Sequence, residues 1–322
     1  MFHFVALKGN EMKQTLKQQL TITREQRNKY YLKQIQKLSE EREVLYSDVI
    51  KPILKNIKAI TSANNIDINS GMTTNGYLIN SDMLAFLKKH NHRNFQITLD
   101  GNKERHNRVR YSKNDHNTFD VIVNNIKNCI KNQFYVSVRL NISSNTNIDV
   151  EELLRDFISL SEIERSFLCF SIHKVWQEPD EVEVIVDDTK EKIRLMGFNA
   201  VTYHSNPTTI KNTCYADKTN HVTINPKGLI YKCTARDFTK ENIEGYLLRN
   251  GVIKWEPIYY IRKDVSILMR DSCRECQILP ICNGGCSQKK IENRDNKCLY
   301  NFDAKSKLEF AKKIIYSKIL QQ

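Results

Sequence analysis

Seven of the nine cysteines in this chain form an ordered series within its last third. A CxxC turn such as Cys273-x2-Cys276 can bring two thiolates to one metal centre, and Gly284-Gly285 lets the backbone fold tightly around a bulky inorganic group. Zinc and iron–sulfur clusters both accept four thiolates, so the spacing predicts metal ligation without choosing between them. The series runs Cys214, 13 residues, Gly228, four residues, Cys233, a gap, Cys273-x2-Cys276-x5-Cys282-x3-Cys286, a second gap, and Cys298.

The remaining cysteines, Cys129 and Cys169, stand in apolar sequence and are predicted to lie in the core. The first 20 residues contain no apolar run of the kind found in a secretory signal. We therefore expect a cytoplasmic protein in a reducing compartment, where dense cysteine spacing favours metal ligation over disulfide bonds.

The composition excludes several classes of protein. The chain has 322 residues, with 27% charged and 40% apolar residues, which argues against intrinsic disorder. It has no apolar stretch of 18 residues, so we expect no membrane association. Fifty Lys and Arg against 37 Asp and Glu give a net charge of +13. The basic residues are spread along the chain without a recognisable nucleic-acid-binding module, and we expect no nucleic-acid partner.

The elements that must position these residues follow from the apolar pattern. From about residue 48, short predicted strands (95–99, 134–142 and 167–175) alternate with predicted helices, and Asp48 and Ser81-Asp82 are candidate helix caps. This alternation predicts βαβ units, a parallel sheet and a barrel or partial barrel. Sites in such folds lie at the carboxyl ends of strands. In this chain those ends carry Thr73-Thr74-Asn75-Gly76, Asp100-Gly101 and Arg139 to Asn141.

The cysteine series with its Gly228 resembles the SPASM domain of radical S-adenosylmethionine (SAM) peptide-maturing enzymes. A predicted hairpin between residues 224 and 233 fits the same domain. The earlier part is similar to the same family from about residue 45, through the strand-end TTNG at 73–76 and through Ile97-Thr98-Leu99-Asp100-Gly101, followed by His106 and Arg110. The resemblance covers roughly 275 residues and implies a partial (β/α) barrel, amino-terminally incomplete, followed by a small cysteine-rich domain.

The resemblance also implies cofactors. Two auxiliary 4Fe-4S clusters are expected, one held by Cys273, Cys276, Cys282 and Cys298, the other by Cys214, Cys233 and Cys286. The fourth position of the latter is left as an open iron or as a site for Asp217 or His221. Arg139 and Asn141 resemble residues that contact SAM, since an arginine fork suits a carboxylate and an amide suits a ribose hydroxyl. A salt-bridged rim is the alternative for Arg139. Thr118 is a third SAM candidate, with helix capping as its alternative.

The predicted organisation has four parts: a charged helical segment at 1–43, the barrel at 44–205, the SPASM domain at 206–300 and a carboxyl-terminal helix at 301–322. The resemblance also implies a type of reaction. In radical SAM enzymes, a third cluster in the barrel cleaves bound SAM to a radical that removes a substrate hydrogen.

Three departures from the family pattern limit the functional expectation. Residues 1–128 contain no cysteine, so the CxxxCxxC motif of the SAM-cleaving cluster is missing, and Glu40-Glu41-Arg42-Glu43 stands where the family has GGEP. Either the chain is an incomplete or rearranged maturase, or it is a pseudoenzyme. Thr234 follows Cys233, at the position where sulfatase-maturing relatives have an Asp that acts as a general base. A hydroxyl is no general base near neutral pH.

We therefore expect a radical SAM/SPASM-class protein for modification of a ribosomally synthesised peptide, without its own SAM-cleaving motif. Such a protein would work with a partner maturase or an electron donor. The alternatives are a non-catalytic scaffold that binds the precursor peptide for a partner enzyme, and a zinc-bearing nucleic-acid binder.

Overall fold

The structure, a computed structural model, describes residues 46–110, 117–144, 148–175, 178–179, 181–202, 214–265, 270–293 and 297–319. The predicted helical segment at 1–43 lies outside these residues. The chain divides into two compact units. The first, here the α/β unit, contains the described residues from 53 to 202, and the second, the cysteine-rich unit, contains those from 214 to 319 together with 46–52.

The α/β unit is built on five parallel strands whose order in the sheet is their order in the chain. Helices connect successive strands, as the alternating pattern predicts, and the α/β class is confirmed. The elements are α1 (Lys51–Ala63), β1 (Ser70–Thr74), α2 (Ser81–Lys89), β2 (His92–Leu99), α3 (Lys103–Val109), α4 (Thr118–Lys131), β3 (Tyr135–Ile142), α5 (Val150–Arg155), α6 (Glu162–Arg165), β4 (Leu168–Lys174), α7 (Val182–Leu195) and β5 (Asn199–Thr202).

One face of this sheet forms the core, because side chains alternate between the two faces of a strand. Helix α4 packs against β3, and α7 packs against β4 and β5. The side chains on this face are almost wholly buried; they include Phe95, Ile97, Leu99, Val136, Val138, Leu140, Phe170 and Ile172. Cys129 is buried as predicted, whereas Cys169 is only half-buried because it points to the opposite face.

Two of the predicted helix caps are wrong. Asp48 lies inside a π-helical turn, Tyr46–Ile50, that runs directly into α1, so it caps nothing. Helix α2 is capped one residue earlier than predicted, by Asn80, whose side chain accepts the backbone N–H of Met83 at 2.9 Å. Both Asn and Ser are good caps, and only the backbone angles select between neighbours.

In its described residues, the cysteine-rich unit contains a small antiparallel sheet and five α-helices. Its strands are β6 (Thr223–Ile224), β7 (Leu229–Tyr231), β8 (Gly245–Leu247) and β9 (Ile253–Trp255), paired in chain order. The predicted hairpin is confirmed: Asn225 bonds the backbone of Lys227 and Leu229, and Gly228 supplies the left-handed turn with φ +77°. The helices are α8 (Pro257–Val265), α9 (Asp271–Arg274), α10 (Leu279–Cys282), α11 (Ser287–Glu292) and α12 (Ala304–Ile319).

Candidate cluster sites and the polar face of the sheet

The second face of the five-stranded sheet is polar. Strand pairing places Thr98, Arg139 and Ser171 in one row across β2, β3 and β4, with Asn141 and His173 side by side in the next row. The same face carries Gln96, Ser137 and Cys169 nearer the strands' amino ends. A sheet face with this composition cannot be a dry core, because each polar group would need a hydrogen-bond partner. It is therefore suited to holding a polar ligand.

Arg139 and Asn141, both predicted from the sequence, are brought together on this face. The Arg139 Nε donates to the Asn141 Oδ1 at 2.9 Å, which fixes the guanidinium near the carboxyl end of β3. On the neighbouring strand the Ser171 Oγ and the His173 Nε2 are 2.9 Å apart. The four side chains form a polar group of hydrogen-bond donors and acceptors, which could bind a carboxylate, an amide or a hydroxyl.

The TTNG segment forms a tight loop after β1. The Thr74 hydroxyl accepts the backbone N–H of Gly76, and the buried Asn125 donates to the carbonyls of Gly76 at 2.8 Å and Tyr77 at 3.0 Å. Gly76 has φ +79°, and a Cβ there would lie 2.9 Å from the Ile97 Cγ2. Glycine is thus required by both conformation and space.

Asp100, His106 and Arg110 belong to the motif that begins at Ile97, and they contact one another at the end of β2. Asp100 follows β2, its backbone N–H donates to the His106 Nδ1 at 3.2 Å, and its carboxylate pairs with Arg110. His106 is fully buried, and burial lowers its pKa to about 4, so the ring is neutral near pH 7. These contacts give the motif a structural role.

Thr118 begins α4, where its hydroxyl donates to the carbonyl of Arg110 at 2.6 Å and its side chain is buried. A SAM contact by Thr118 stays a prediction.

Three of the seven series cysteines, Cys214, Cys233 and Cys286, lie close together; we call them the first cysteine group. Burial raises the pKa of the Cys214 thiol, and the neighbouring thiolates of Cys286 and Cys233 raise it further. Burial likewise raises the pKa of Cys233, with Cys286 as an additional cause. All three are free thiols in chain segments far apart in sequence.

The other four, Cys273, Cys276, Cys282 and Cys298, form the second cysteine group. Burial raises the pKa of the Cys282 thiol, and the thiolates of the other three members add to the shift. Gly284 and Gly285 follow with φ +70° and +79°, the left-handed conformation that their sequence predicts. A Cβ on Gly284 would lie 3.9 Å from the Cys273 Sγ, so the glycine leaves space beside that thiol.

Buried cations cross-link the segments that carry the first cysteine group. Lys232, next to Cys233, donates its Nζ to the carbonyl of His221 at 2.6 Å and to that of Lys218, which ties the loop after Cys214 to β7. Arg262 on α8 donates to Ser287 at 2.9 Å and to Gln288 at 2.5 Å, on the helix that follows Cys286.

A similar link serves the second cysteine group. Arg270 precedes α9, which carries Cys273, and its guanidinium donates to the carbonyls of Asn293 and Lys297. Lys297 immediately precedes Cys298. One side chain therefore joins the beginning and the end of this group.

The buried charges around the thiols do not balance. Lys232, Arg262 and Lys290 are each at most 4% exposed, while Glu244 is the single carboxylate side chain among the described residues that is buried as a whole. A buried cation is costly unless an anion compensates it. A cluster ligated by thiolates is an anion, so the residues present fit such a group.

Within the described residues, no three His, Cys, Asp or Glu side chains converge as ligands of one metal ion. In an iron–sulfur cluster each thiolate binds a separate iron atom, so its ligands need not converge on a point. Metal ligation by the seven cysteines stays a prediction.

Several residues of these sites were missed from the sequence. Ser171 and His173 join the polar face through the register of β3 with β4, which no local pattern reveals. In the sequence, Asn125 cannot be distinguished from the exposed polar residues of an amphipathic helix. Four of the described basic residues are buried, in a chain that has 50 Lys and Arg; nearness to a cysteine, as for Lys232, is the one signal that the sequence offers.

The described part of the chain contains no helix with the length and apolar content needed to cross a bilayer.

No model of a known protein family matches the chain. In sequence it is similar to a cysteine-type anaerobic sulfatase-maturating enzyme of Clostridium novyi (strain NT), with 24% identity over 280 residues, or 78% of this chain and 72% of the relative.

Solved structures show the same fold. Native anSMEcpe with bound AdoMet superposes with a TM-score of 0.58 at 17% identity, covering 87% of this chain and 83% of that one. Native anSMEcpe with bound AdoMet and Cp18Cys peptide gives 0.55 at 17% identity, covering 84% and 82%. The chain therefore shares the α/β fold of anSMEcpe.

Proposed function

We propose that this chain is an iron–sulfur protein of the radical SAM/SPASM class that takes part in post-translational modification of a ribosomally synthesised peptide. In this proposal 44–205 is the barrel, 206–300 the cluster domain and 301–322 the carboxyl-terminal helix of a cytoplasmic protein. Support comes from the sequence similarity to a sulfatase-maturating enzyme and from the fold of anSMEcpe, whose structures contain AdoMet and a peptide.

The observation that carries the proposal is the pairing of seven free thiols, in two groups, with an excess of buried positive charge. When bound, 4Fe-4S clusters accept and release single electrons. The protein's own part is to hold the thiolates, through Lys232, Arg262 and Arg270, and to exclude water from them. The polar face of the sheet would bind the SAM, with Arg139 directed at its carboxylate.

The fourth position of the first cysteine group has a candidate in Asp217. Its backbone N–H donates to the carbonyl of Cys214 at 3.0 Å, so both residues belong to one turn. Its Oδ1 is buried, with no hydrogen-bond partner among the described residues. The ring of His221 packs against Tyr215 with centroids 4.8 Å apart, and its two nitrogens are buried as well. His221 is therefore the second candidate for this position.

The test is anaerobic reconstitution followed by iron and sulfide analysis. We expect about eight irons and eight sulfides per chain, four for each cluster. Cys276→Ser should lose about half of the iron, whereas Cys169→Ser, a half-buried cysteine outside both groups, should lose none. Two tightly bound zinc ions without iron would refute the proposal.

A second candidate, the non-catalytic scaffold that binds the precursor peptide for a partner enzyme, is favoured by one observation: the first cysteine of the chain is Cys129. The scaffold is tested with the reconstituted protein, dithionite and SAM. Formation of 5′-deoxyadenosine by this chain alone contradicts the scaffold. Peptide binding without SAM cleavage supports it.

A further inference from the structure

Helix α11 places two adjacent lysines in opposite environments. It begins directly after Cys286, and Lys290 on its inner side is 4% exposed while Lys289 is exposed to solvent. A lysine is rarely buried to this extent without a carboxylate beside it. Lys290 forms no ion pair with a carboxylate of the described residues, because the buried Glu244 is bound to Arg262.

The ammonium of Lys290 instead faces the second cysteine group. A Cβ built on Gly284 would lie 2.8 Å from the Lys290 Nζ and 3.9 Å from the Cys273 Sγ, so both atoms border the space that this glycine leaves open. The charged groups that act on the ammonium include the thiolates of Cys273 and Cys282, the carboxylate of Asp217 and the guanidinium of Arg270.

A fixed positive charge in this place has a defined electrostatic consequence. Reduction adds one electron to a cluster and makes it more negative, so a nearby cation stabilises the reduced form more than the oxidised form. Net charge near a cluster, hydrogen bonds to its sulfurs and its exposure are what set its reduction potential. Burial strengthens the effect because little water screens it.

We propose that Lys290 raises the reduction potential of the cluster held by the second cysteine group, and acts less on that of the other cluster. The inference rests on the proposed function, which supplies the clusters. Lys290 ligates no iron; it acts through the charge it holds beside Cys273. The first cysteine group has a different charge environment, because Arg262, which acts on Cys233, is paired with Glu244.

The test compares Lys290→Gln with Lys289→Gln in the full-length, reconstituted protein. Both substitutions remove one positive charge from the same helix, and only the first removes it from the interior. Each protein is reduced stepwise with dithionite, and the reduced clusters are followed by electron paramagnetic resonance. We expect one of two Nernst waves to move to lower potential in Lys290→Gln. The reduced-to-oxidised ratio at a fixed potential should fall at least tenfold, or about 59 mV for a one-electron couple.

The outcomes separate this inference from the proposed function. If the parent protein binds no iron or sulfide, the proposed function itself fails. If it binds both clusters and Lys290→Gln titrates like Lys289→Gln, only the role of Lys290 is overturned. Lys290→Met serves as a second variant of similar length. Loss of the cluster in both Lys290 variants would also overturn the inference, since the lysine would then be needed for assembly and not for the potential.

Discussion

The guanidinium of Arg262 and the carboxylate of Glu244 form an ion pair in the interior of the cysteine-rich unit, with 2.6 Å between Nη2 and Oε1. Both side chains are at most 3% exposed, and Arg262 also bonds Ser287 and Gln288. Glu244 raises the pKa of the guanidinium against the opposing effect of burial. The pair thus connects β8 with the helix that follows Cys286.

Removing one partner of this pair should be strongly destabilising. Glu244→Gln leaves the guanidinium buried without its anion, and we expect a loss of about 3–5 kcal/mol in the free energy of unfolding. The double variant Glu244→Leu/Arg262→Met should be more stable than either single charge removal. Urea unfolding measures the free energy of unfolding of the single and double variants.

The control is Glu104→Gln, whose exposed partner is Arg108. This substitution should lower the free energy of unfolding by under about 1 kcal/mol. Equal effects of the two glutamate substitutions would contradict the prediction.

Gly284→Ala should disrupt the second cysteine group specifically. The alanine would have to adopt φ +70°, at about 1–2 kcal/mol, and its Cβ would displace the Lys290 Nζ from 2.8 Å. We expect about half of the iron to be lost on reconstitution. Gly197→Ala is the matched control, because Gly197 has φ +81° and a Cβ there would also meet the end of a side chain, Arg165 at 3.2 Å, but no cysteine lies within 4 Å of it. Full iron content in Gly284→Ala would show that this space is not needed.

Much of the α/β unit could be predicted from sequence because its strands are apolar on the core face and are separated by amphipathic helices. Periodicity reports burial, and β2, β3 and β4 fall within a few residues of their predicted bounds. It does not report the backbone angles at helix starts, which is why Asp48 and Ser81 were assigned as caps. The π-helical turn before α1 has no sequence signature of its own.

The sites divide in the same way. Cysteine spacing is a local pattern, so seven candidate ligands could be named from it, as could Arg139 and Asn141 at the end of one strand; binding of iron or SAM by these residues stays a prediction. Contacts between distant segments could not be named, such as that of Arg270 with the carbonyl of Lys297. The sequence does not show whether a lysine is buried or exposed. Only packing distinguishes Lys290 from Lys289.

The buried histidines of the α/β unit predict a dependence of stability on pH. Burial lowers the pKa of His106 to about 4, and that of His92 to about 4, against 6.5 in the unfolded chain. Between those values the unfolded state binds more protons, so stability falls as the pH drops from 6.5 towards 4. Each ring should lower the free energy of unfolding by up to about 2 kcal/mol at pH 5.

The measurement is urea unfolding at pH 7 and pH 5, comparing the parent protein with His106→Gln. The variant should lose less stability on acidification, because one of the two groups is gone, although it is less stable at pH 7. A variant at an exposed basic residue, Arg108→Gln, controls for the change in net charge. An unchanged pH dependence in His106→Gln would mean that the ring is protonated in the folded protein.

Asp217 should affect how firmly the first cysteine group holds its iron. As the proposed fourth ligand, its carboxylate would close a position that three thiolates leave open, so Asp217→Ala should release iron faster to a chelator such as EDTA. We expect the faster phase to involve about four irons per chain, the content of one cluster. Asp264→Ala removes an exposed carboxylate from α8 and should behave as the parent. Identical release from both variants would exclude Asp217 and leave His221 or solvent as the fourth ligand.

Arg139 should determine SAM binding, and calorimetric titration of the reconstituted protein measures it directly. The guanidinium is held by Asn141 on the polar face, so a carboxylate meets a donor that is already positioned. Loss of a charged hydrogen bond costs about 1.5–3 kcal/mol, and Arg139→Ala should weaken binding about tenfold or more. Asn141→Ala should weaken it less, since the guanidinium keeps its charge and loses only its orientation. Arg108→Ala controls for the loss of one positive charge and should bind normally. Tight SAM binding by Arg139→Ala would instead favour the role of a salt-bridged rim residue, and the SAM site would then have to be sought elsewhere on the face.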